Sequence, residues 1–392
     1  MDLFAKCYAP SLADEYREKG IYPYFRALET RQGPEVVMEG KRRIMLGSNN
    51  YLGLTSCPEV VEAGVRALEE FGTGCSGSRF LNGTLTMHLE LERELARFLN
   101  KEAAITFSTG FQSNLGIISA LVGRSDYMIL DRENHASIYD GTRLSFGKML
   151  RYRHNDMEDL ERCLRQVPET SGALIITDGV FSMGGDIADL PNIVRLARQY
   201  GARVMVDDAH GLGTIGEGGR GTASHFGLEK EVDVYMGTFS KSLASLGGYM
   251  AADDRIADYV RHSSRPFIFS ASIPPASCAT ALAALRYLEK HPELPQRLSD
   301  LSEHFRGALK DRGIAIRESK TPIVPIFTYQ AERTMHVAKA LYENGVYVNT
   351  VLPPAAPADG CMLRTSLMAT HTEALLDEAA DVLQRVLEAH HE

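Results

Sequence analysis

The chain has 392 residues, and 42 Lys plus Arg against 51 Asp plus Glu leave a formal net charge of −9. That balance disfavours a nucleic-acid binder relying on a basic surface, and a chain held on anionic lipid by charge alone. Hydrophobic residues at 44% and charged residues at 24% are ordinary globular composition and argue against disorder.

The first 45 residues are predicted to hold a short helix, a turn at Pro23 and an extended pair around EVVMEG and RRIMLG. The spacing predicts helices over 58–71 and 89–99. Short apolar runs then alternate with amphipathic stretches: AAITF, YMIL, MLRYR, GALIITDG, RVMVDDAH, DVYMGTF and YMAA read as strands. Such alternation predicts a mainly parallel α/β sheet, whose ligands sit beyond the C-terminal strand ends. From about Ala276 the texture changes to long helices (to about 289, then 296–312), IVPIFTY, a helix near 332–344, VYVNTV, MLRTSL and a terminal helix over 373–389. The predicted division is an N-terminal segment 1–45, a large domain 46–285 and a smaller α+β domain 286–392.

The six cysteines, at 7, 57, 75, 163, 278 and 361, form no CxxC pair and read as reduced thiols. The polar N-terminus lacks the apolar core of a signal peptide. No apolar run approaches the roughly 18–20 residues of a membrane span, so a cytoplasmic protein is expected.

Several glycine-rich motifs are ambiguous. GTGCSG at 72–77 fits a dinucleotide fingerprint but follows a helical stretch, not a strand, and tight backbone near a ligand or interface is the better reading. GEGGRG at 216–221 has no clear helix after it. GTFSKS at 237–242 lacks the Gly that a Walker A loop needs before its Lys, though its hydroxyls and amides suit a phosphate. Asp207, Asp208 and His210 in DDAH could bind a metal, cap a helix, or face one bound ring.

The order along the chain favours the ring. STGF at 108–111, His135 in NHASIYDG, Asp207 and His210 in DDAH and Lys241 in GTFSKS together supply what a pyridoxal 5′-phosphate (PLP) site needs. A Lys forms the Schiff base, an Asp keeps the pyridine nitrogen protonated, a ring stacks on the cofactor face, and a helix N-terminus with hydroxyls holds the phosphate.

With these residues the sequence resembles the α-oxoamine synthases, a family of fold-type I PLP enzymes, from GSNNYLGL at 47–54 to LRTSLMATHT at 363–372. GTGCSGSRFLNGTL, GTFSKSLASLGG and VYVNTVLPPAAP are more similar to the bacterial serine palmitoyltransferases within that family. The resemblance implies a fold-type I PLP-dependent transferase, its large domain built on a mainly parallel seven-stranded sheet. It implies Lys241 as the Schiff-base lysine, His135 stacked on the ring, Asp207 at the ring nitrogen and His210 at the ring hydroxyl. Gly110, Phe111, Thr238 and Ser240 would lie at the phosphate, and Ser270 and Ala271 at the phosphate of a neighbouring subunit's cofactor in a homodimer. Asn50 and Arg364 would meet the substrate, Arg364 at its carboxylate. Some bacterial relatives carry an Arg before the Pro-Pro pair, where this chain has Leu352.

The implied reaction joins L-serine to palmitoyl-CoA, with another α-oxoamine synthase activity (8-amino-7-oxononanoate synthase or 2-amino-3-ketobutyrate CoA ligase) as the alternative. The implied partners are L-serine, a long-chain acyl-CoA and a second copy of the chain, with no nucleic acid and no metal, and with room for transient contact at the inner membrane. A catalytically dead subunit, which should lack the lysine, and a metal hydrolase on His135, Asp207 and His210 are the readings from other classes.

Overall fold

The helices Ala5–Tyr8 and Leu12–Glu18 precede the first two strands. Strands β1 (Glu35–Met38) and β2 (Lys41–Met45) pair as an antiparallel hairpin around Gly40, whose φ of 67° suits a tight turn. The computed structural model describes residues 2–390.

The alternating runs form seven strands: β3 (Ala103–Phe107), β4 (Tyr127–Asp131), β5 (Lys148–Tyr152), β6 (Ala173–Asp178), β7 (Arg203–Asp207), β8 (Val234–Thr238) and β9 (Gly248–Ala252). They lie in one sheet in the order β3–β9–β8–β7–β6–β4–β5. All neighbouring pairs are parallel except those of β9, which runs antiparallel to both β8 and β3. Successive residues point to opposite faces, so each strand feeds two cores. Ile129, Ile175, Val204 and Val206 pack with the helices Thr86–Phe98, Leu190–Tyr200 and Pro275–Lys290. Met128, Leu130, Ile176 and Met205 pack with the helices Gly110–Leu121 and Asp254–Ser263 on the other face. Both faces are covered over the middle of the sheet, which is why β4, β6, β8 and β9 are almost wholly buried, while the edge strand β5 (KMLRY) is largely exposed.

The C-terminal part has the long helices Glu293–Asp311, Ala331–Glu343 and Glu373–Ala389 on a small antiparallel sheet. That sheet holds β10 (Ile323–Tyr329), β12 (Asn349–Val351) and β13 (Cys361–Ser366) in the order β10–β13–β12. The run VYVNTV is continuous in sequence but divides: β11 (Val346–Tyr347) pairs parallel with β2, while β12 pairs with β13. Through β11 the N-terminal hairpin joins the C-terminal core, where Ile44, Leu46 and Tyr51 pack with Phe305, Ile323 and Leu376. No helix among the described residues is long and apolar enough to cross a membrane.

Candidate active site

The C-terminal ends of β4, β6, β7 and β8 converge on a cavity of about 310 Å³. Gly110, Phe111, His135, Asp178, Asp207, His210, Thr238, Ser240 and Lys241 all line it. A second cavity of about 390 Å³ shares His135, His210 and Lys241, and extends to Asn49, Ser182, Met183 and Arg364. Lys241 therefore stands where the two spaces meet.

Each side chain is set there by local structure. Asp207 is the last residue of β7 and is buried. Its Oδ2 accepts from Asn114 Nδ2 at 2.7 Å and its Oδ1 from the Ala209 amide at 3.1 Å. Its neighbour Asp208 points the opposite way, as the strand period requires. Asp208 accepts from Thr222 N at 2.7 Å and Thr222 Oγ1 at 2.6 Å, and burial raises its pKa to about 6. Of the acids in DDAH, one faces the cavity and the other pins the GEGGRG loop.

Lys241 has no hydrogen bond to Nζ among the described residues. Burial lowers its pKa to about 8, with the positive charge of Arg364 pushing the same way and Asp207 opposing. The amine is thus much closer to neutral than a surface lysine at physiological pH. His210 is buried, and its Nδ1 lies 2.7 Å from Tyr51 Oη. Burial, then the charges of Lys241 and Arg364, hold His210 well below its ordinary pKa, so it is neutral. Burial, then the Asp207 charge, raise Asp178 well above the ordinary carboxylate range, and its Oδ1 accepts from the His135 amide at 3.2 Å.

The opposite end of the cavity is built for an anion. Thr109 caps the Gly110–Leu121 helix by accepting from Gln112 N at 3.1 Å, which leaves the first amides facing the space. Thr238 Oγ1 lies 2.8 Å from Ser240 Oγ, adding two hydroxyls. Gly110 is needed for this approach: a Cβ there would stand 2.8 Å from Thr238 Cβ and Oγ1. A cavity with an amine, a buried carboxylate and a helix N-terminus flanked by hydroxyls fits PLP. A metal shared by His135, Asp207 and His210 does not fit as well. Among the described residues the group whose ligand atoms gather within 4.8 Å is instead Glu133, His154 and Asp186. There burial works against the His154 charge, but hydrogen bonds to Asp131 and Asp186 prevail and raise its pKa to about 10, so the cluster is an ion-pair network.

Arg364 is buried on β13. It donates to the Ser182 carbonyl through Nε, to Ser366 Oγ at 2.5 Å and to Tyr51 Oη at 3.3 Å. No carboxylate pairs with it among the described residues, so a buried cation faces the second cavity without a counter-ion.

Not every expected residue reaches the cavities. Asn50 turns away: its Nδ2 donates to Thr55 Oγ1 at 2.8 Å, and the preceding Asn49 lines the second cavity instead. Leu352 packs against Tyr16, Ile21 and Met335 in a small apolar cluster. Ser270 and Ala271, expected at the cofactor of a neighbouring subunit, lie outside both cavities of their own chain, Ser270 accepting from Gln112 Nε2 and the Ala271 carbonyl from Ser108. Tyr51, Asn114, Ser137 and Asp178 were not singled out in sequence. Only Tyr51, in GSNNYLGL, and Ser137, in HASIYDG, lie in motifs that could have flagged them.

Comparison with known proteins agrees with this geometry. The family model described as aminotransferase class I and II matches residues 41–383. The chain is 52% identical over 376 residues to the serine palmitoyltransferase of Sphingobacterium spiritivorum, covering 96% of this chain and 94% of that protein. It is 46% identical over 375 residues to the 8-amino-7-oxononanoate synthase of Geobacter sulfurreducens, covering 95% of this chain and 96% of that protein. A solved serine palmitoyltransferase structure carrying PLP superposes with a TM-score of 0.97 at 39% identity over the full length of both chains. The chain therefore belongs to the class I and II aminotransferase family of fold-type I, PLP-dependent enzymes, and within it to the serine palmitoyltransferases.

Proposed function

We propose that the chain is a PLP-dependent acyltransferase that condenses L-serine with palmitoyl-CoA, releasing CoA and CO2 and yielding 3-ketodihydrosphingosine. The observation that carries this reading is the buried, unpaired Arg364 facing the same space as the Lys241 amine, whose pKa burial lowers to about 8. An amino acid offers a carboxylate to the first and a Cα proton to the second.

PLP, when bound, supplies a protonated pyridine ring that draws electrons from the bonds at the substrate Cα. Lys241 is the residue that holds the cofactor. Asp207 keeps the proton on the ring nitrogen, since a carboxylate stabilises that charge and a neutral amide does not. The first amides of the Gly110–Leu121 helix, with Thr238 and Ser240, hold the phosphate. Phe111 lies with them at the phosphate end, His135 covers the ring, and neutral His210 donates or accepts at the ring hydroxyl. Arg364 grips the serine carboxylate and fixes which Cα bond stands across the ring. Lys241 Nζ then takes the Cα proton and later returns one to the product.

In the same reading the enzyme works as a cytoplasmic homodimer in sphingolipid synthesis. Ser270 and Ala271 of one protomer reach the cofactor phosphate of its partner, and transient contact with the inner membrane serves the lipid-like substrate and product. The test is a CoA-release assay crossing Ser, Gly, Ala and Thr with acyl chains from acetyl to stearoyl. Serine with palmitoyl-CoA should dominate. A preference for alanine or glycine with a shorter chain would move the enzyme to another α-oxoamine synthase activity.

A further inference from the structure

Asn114 is fully buried in the Gly110–Leu121 helix. Its amide nitrogen donates one hydrogen to Asp207 Oδ2 at 2.7 Å and the other to Ser137 Oγ at 2.8 Å. Asp207 decides the orientation of that amide: turned over, the amide oxygen would face a carboxylate that can only accept. Asn114 Oδ1 is left buried without a hydrogen-bond partner among the described residues. An unpaired buried oxygen costs free energy, so the two donated bonds hold the amide in place against that cost.

Ser137 Oγ lies 2.7 Å from His135 Nδ1. The Ser137 backbone N–H also donates to that nitrogen, at 3.3 Å, because His135 is the N-cap of the Ala136–Leu144 helix. A ring nitrogen that receives a backbone N–H is an acceptor. The Ser137 hydroxyl already accepts from Asn114, so its single proton is free to go to Nδ1 as well. A cation at the start of a helix is also disfavoured by the backbone dipole. Nδ1 is therefore filled by two donors, and the ring proton is left to Nε2, which has no hydrogen-bond partner among the described residues.

We propose that Asn114 and Ser137 are positioning residues. The relay Asp207–Asn114–Ser137–His135, together with the Ser137 backbone N–H, fixes His135 as the neutral tautomer protonated on Nε2. The proposal rests on the reading that Asp207 and His135 serve one bound cofactor. Its consequence is directional: His135 presents an N–H donor to the shared cavity space and does not act there as a base.

The test is ¹⁵N NMR of the full-length PLP-bound enzyme with labelled histidine rings, the His135 signals being identified by their loss in His135→Gln. Wild type should show Nδ1 as an unprotonated acceptor and Nε2 carrying the proton at neutral pH. A proton on Nδ1, or a cationic ring, would overturn the proposal whether or not any variant folds. Ser137→Ala leaves the backbone N–H as the one donor on Nδ1, and Asn114→Ala frees the Ser137 hydroxyl to accept from that nitrogen, so each should raise the minor population protonated on Nδ1 above wild type. They should also lower kcat by at least about tenfold, the lower end of what an outer partner of a functional histidine contributes. An unchanged tautomer in either variant would remove that residue from the relay. The underlying reading is tested separately: turnover retained in Lys241→Ala would refute the cofactor assignment without altering the measured tautomer.

Discussion

Arg364 and Lys241 are two cations placed in one buried region, and their energetics differ. Arg364 makes hydrogen bonds to Ser182, Ser366 and Tyr51 but has no carboxylate partner among the described residues. A substrate carboxylate would complete it, and losing such a partner costs about 2–5 kcal/mol, or roughly 30- to 5000-fold in affinity. Arg364→Ala is expected to raise the dissociation constant for L-serine by at least about 30-fold on that scale, with PLP affinity little changed. A serine titration followed by the cofactor absorption band measures it, and normal serine affinity in a folded variant would make Arg364 merely structural. Lys241 instead carries its cost in the empty chain. With a folded pKa of about 8 against an ordinary 10.5, its buried charge destabilises most below pH 8, where folded and unfolded chains are both protonated. As pH climbs from about 8 toward 10.5 the folded chain sheds the proton first, and the penalty fades. The apoenzyme of Lys241→Met should therefore melt above wild-type apoenzyme at pH 7, with the gap closing toward pH 10. A gap that is constant with pH would mean that the ammonium is not the destabilising group.

One pair of elements is joined by charge as much as by packing. Arg79, in the loop that holds GTGCSG, forms a two-pronged pair with Glu92 of the Thr86–Phe98 helix, at 2.6 and 3.1 Å. Both side chains are nearly inaccessible, at 6% and 7% exposure. Glu92 also accepts from the Thr106 amide at 2.8 Å, so the loop, the helix and β3 meet on one carboxylate. Removing one partner of a buried pair leaves the other charge stranded, typically at about 3–5 kcal/mol. Arg79→Ala should lower the unfolding free energy by that amount in chemical denaturation. A loss under about 1 kcal/mol, the scale of an exposed pair, would show that water reaches Glu92. The loop's glycines serve the same packing: a Cβ on Gly83 would fall 2.1 Å from the Gly77 carbonyl. That is the tight-backbone reading of GTGCSG, with no strand before it.

At the scale of the molecule, the two ends of the chain are interdependent. β2 pairs with β11, and Ile44, Leu46 and Tyr51 lie in the same core as Phe305, Ile323 and Leu376. Tyr51 then carries this packing to the cavity by bonding His210, 159 residues away, and Arg364, 313 residues away. A chain beginning after residue 46 would expose the apolar edge of the C-terminal core. It is expected to lose cooperative unfolding and to bind an apolar dye. A sharp single transition at the wild-type midpoint would show that the hairpin is dispensable.

Lys241, Asp207, His135 and the strand–helix alternation were legible in the sequence because each depends on local facts: residue type, position at a strand end, and a period of two or 3.6. The helix over 58–71 forms over that range for the same reason. What sequence spacing does not carry is where a side chain points once distant segments meet. Asn49 and Asn50 are adjacent and chemically identical, yet Thr55 holds Asn50 while Asn49 opens to the cavity. Asp207 and Asp208 part because Thr222 captures one of them. VYVNTV reads as one run but divides between two sheets, because β2 claims its first half and β13 its second. The relay behind His135 was hidden for the same reason: Asn114 reaches Ser137 23 residues on and Asp207 93 residues on. Those distances close only when the packed sheet stacks one helix N-terminus against another, and tertiary packing alone decides which amide meets which carboxylate.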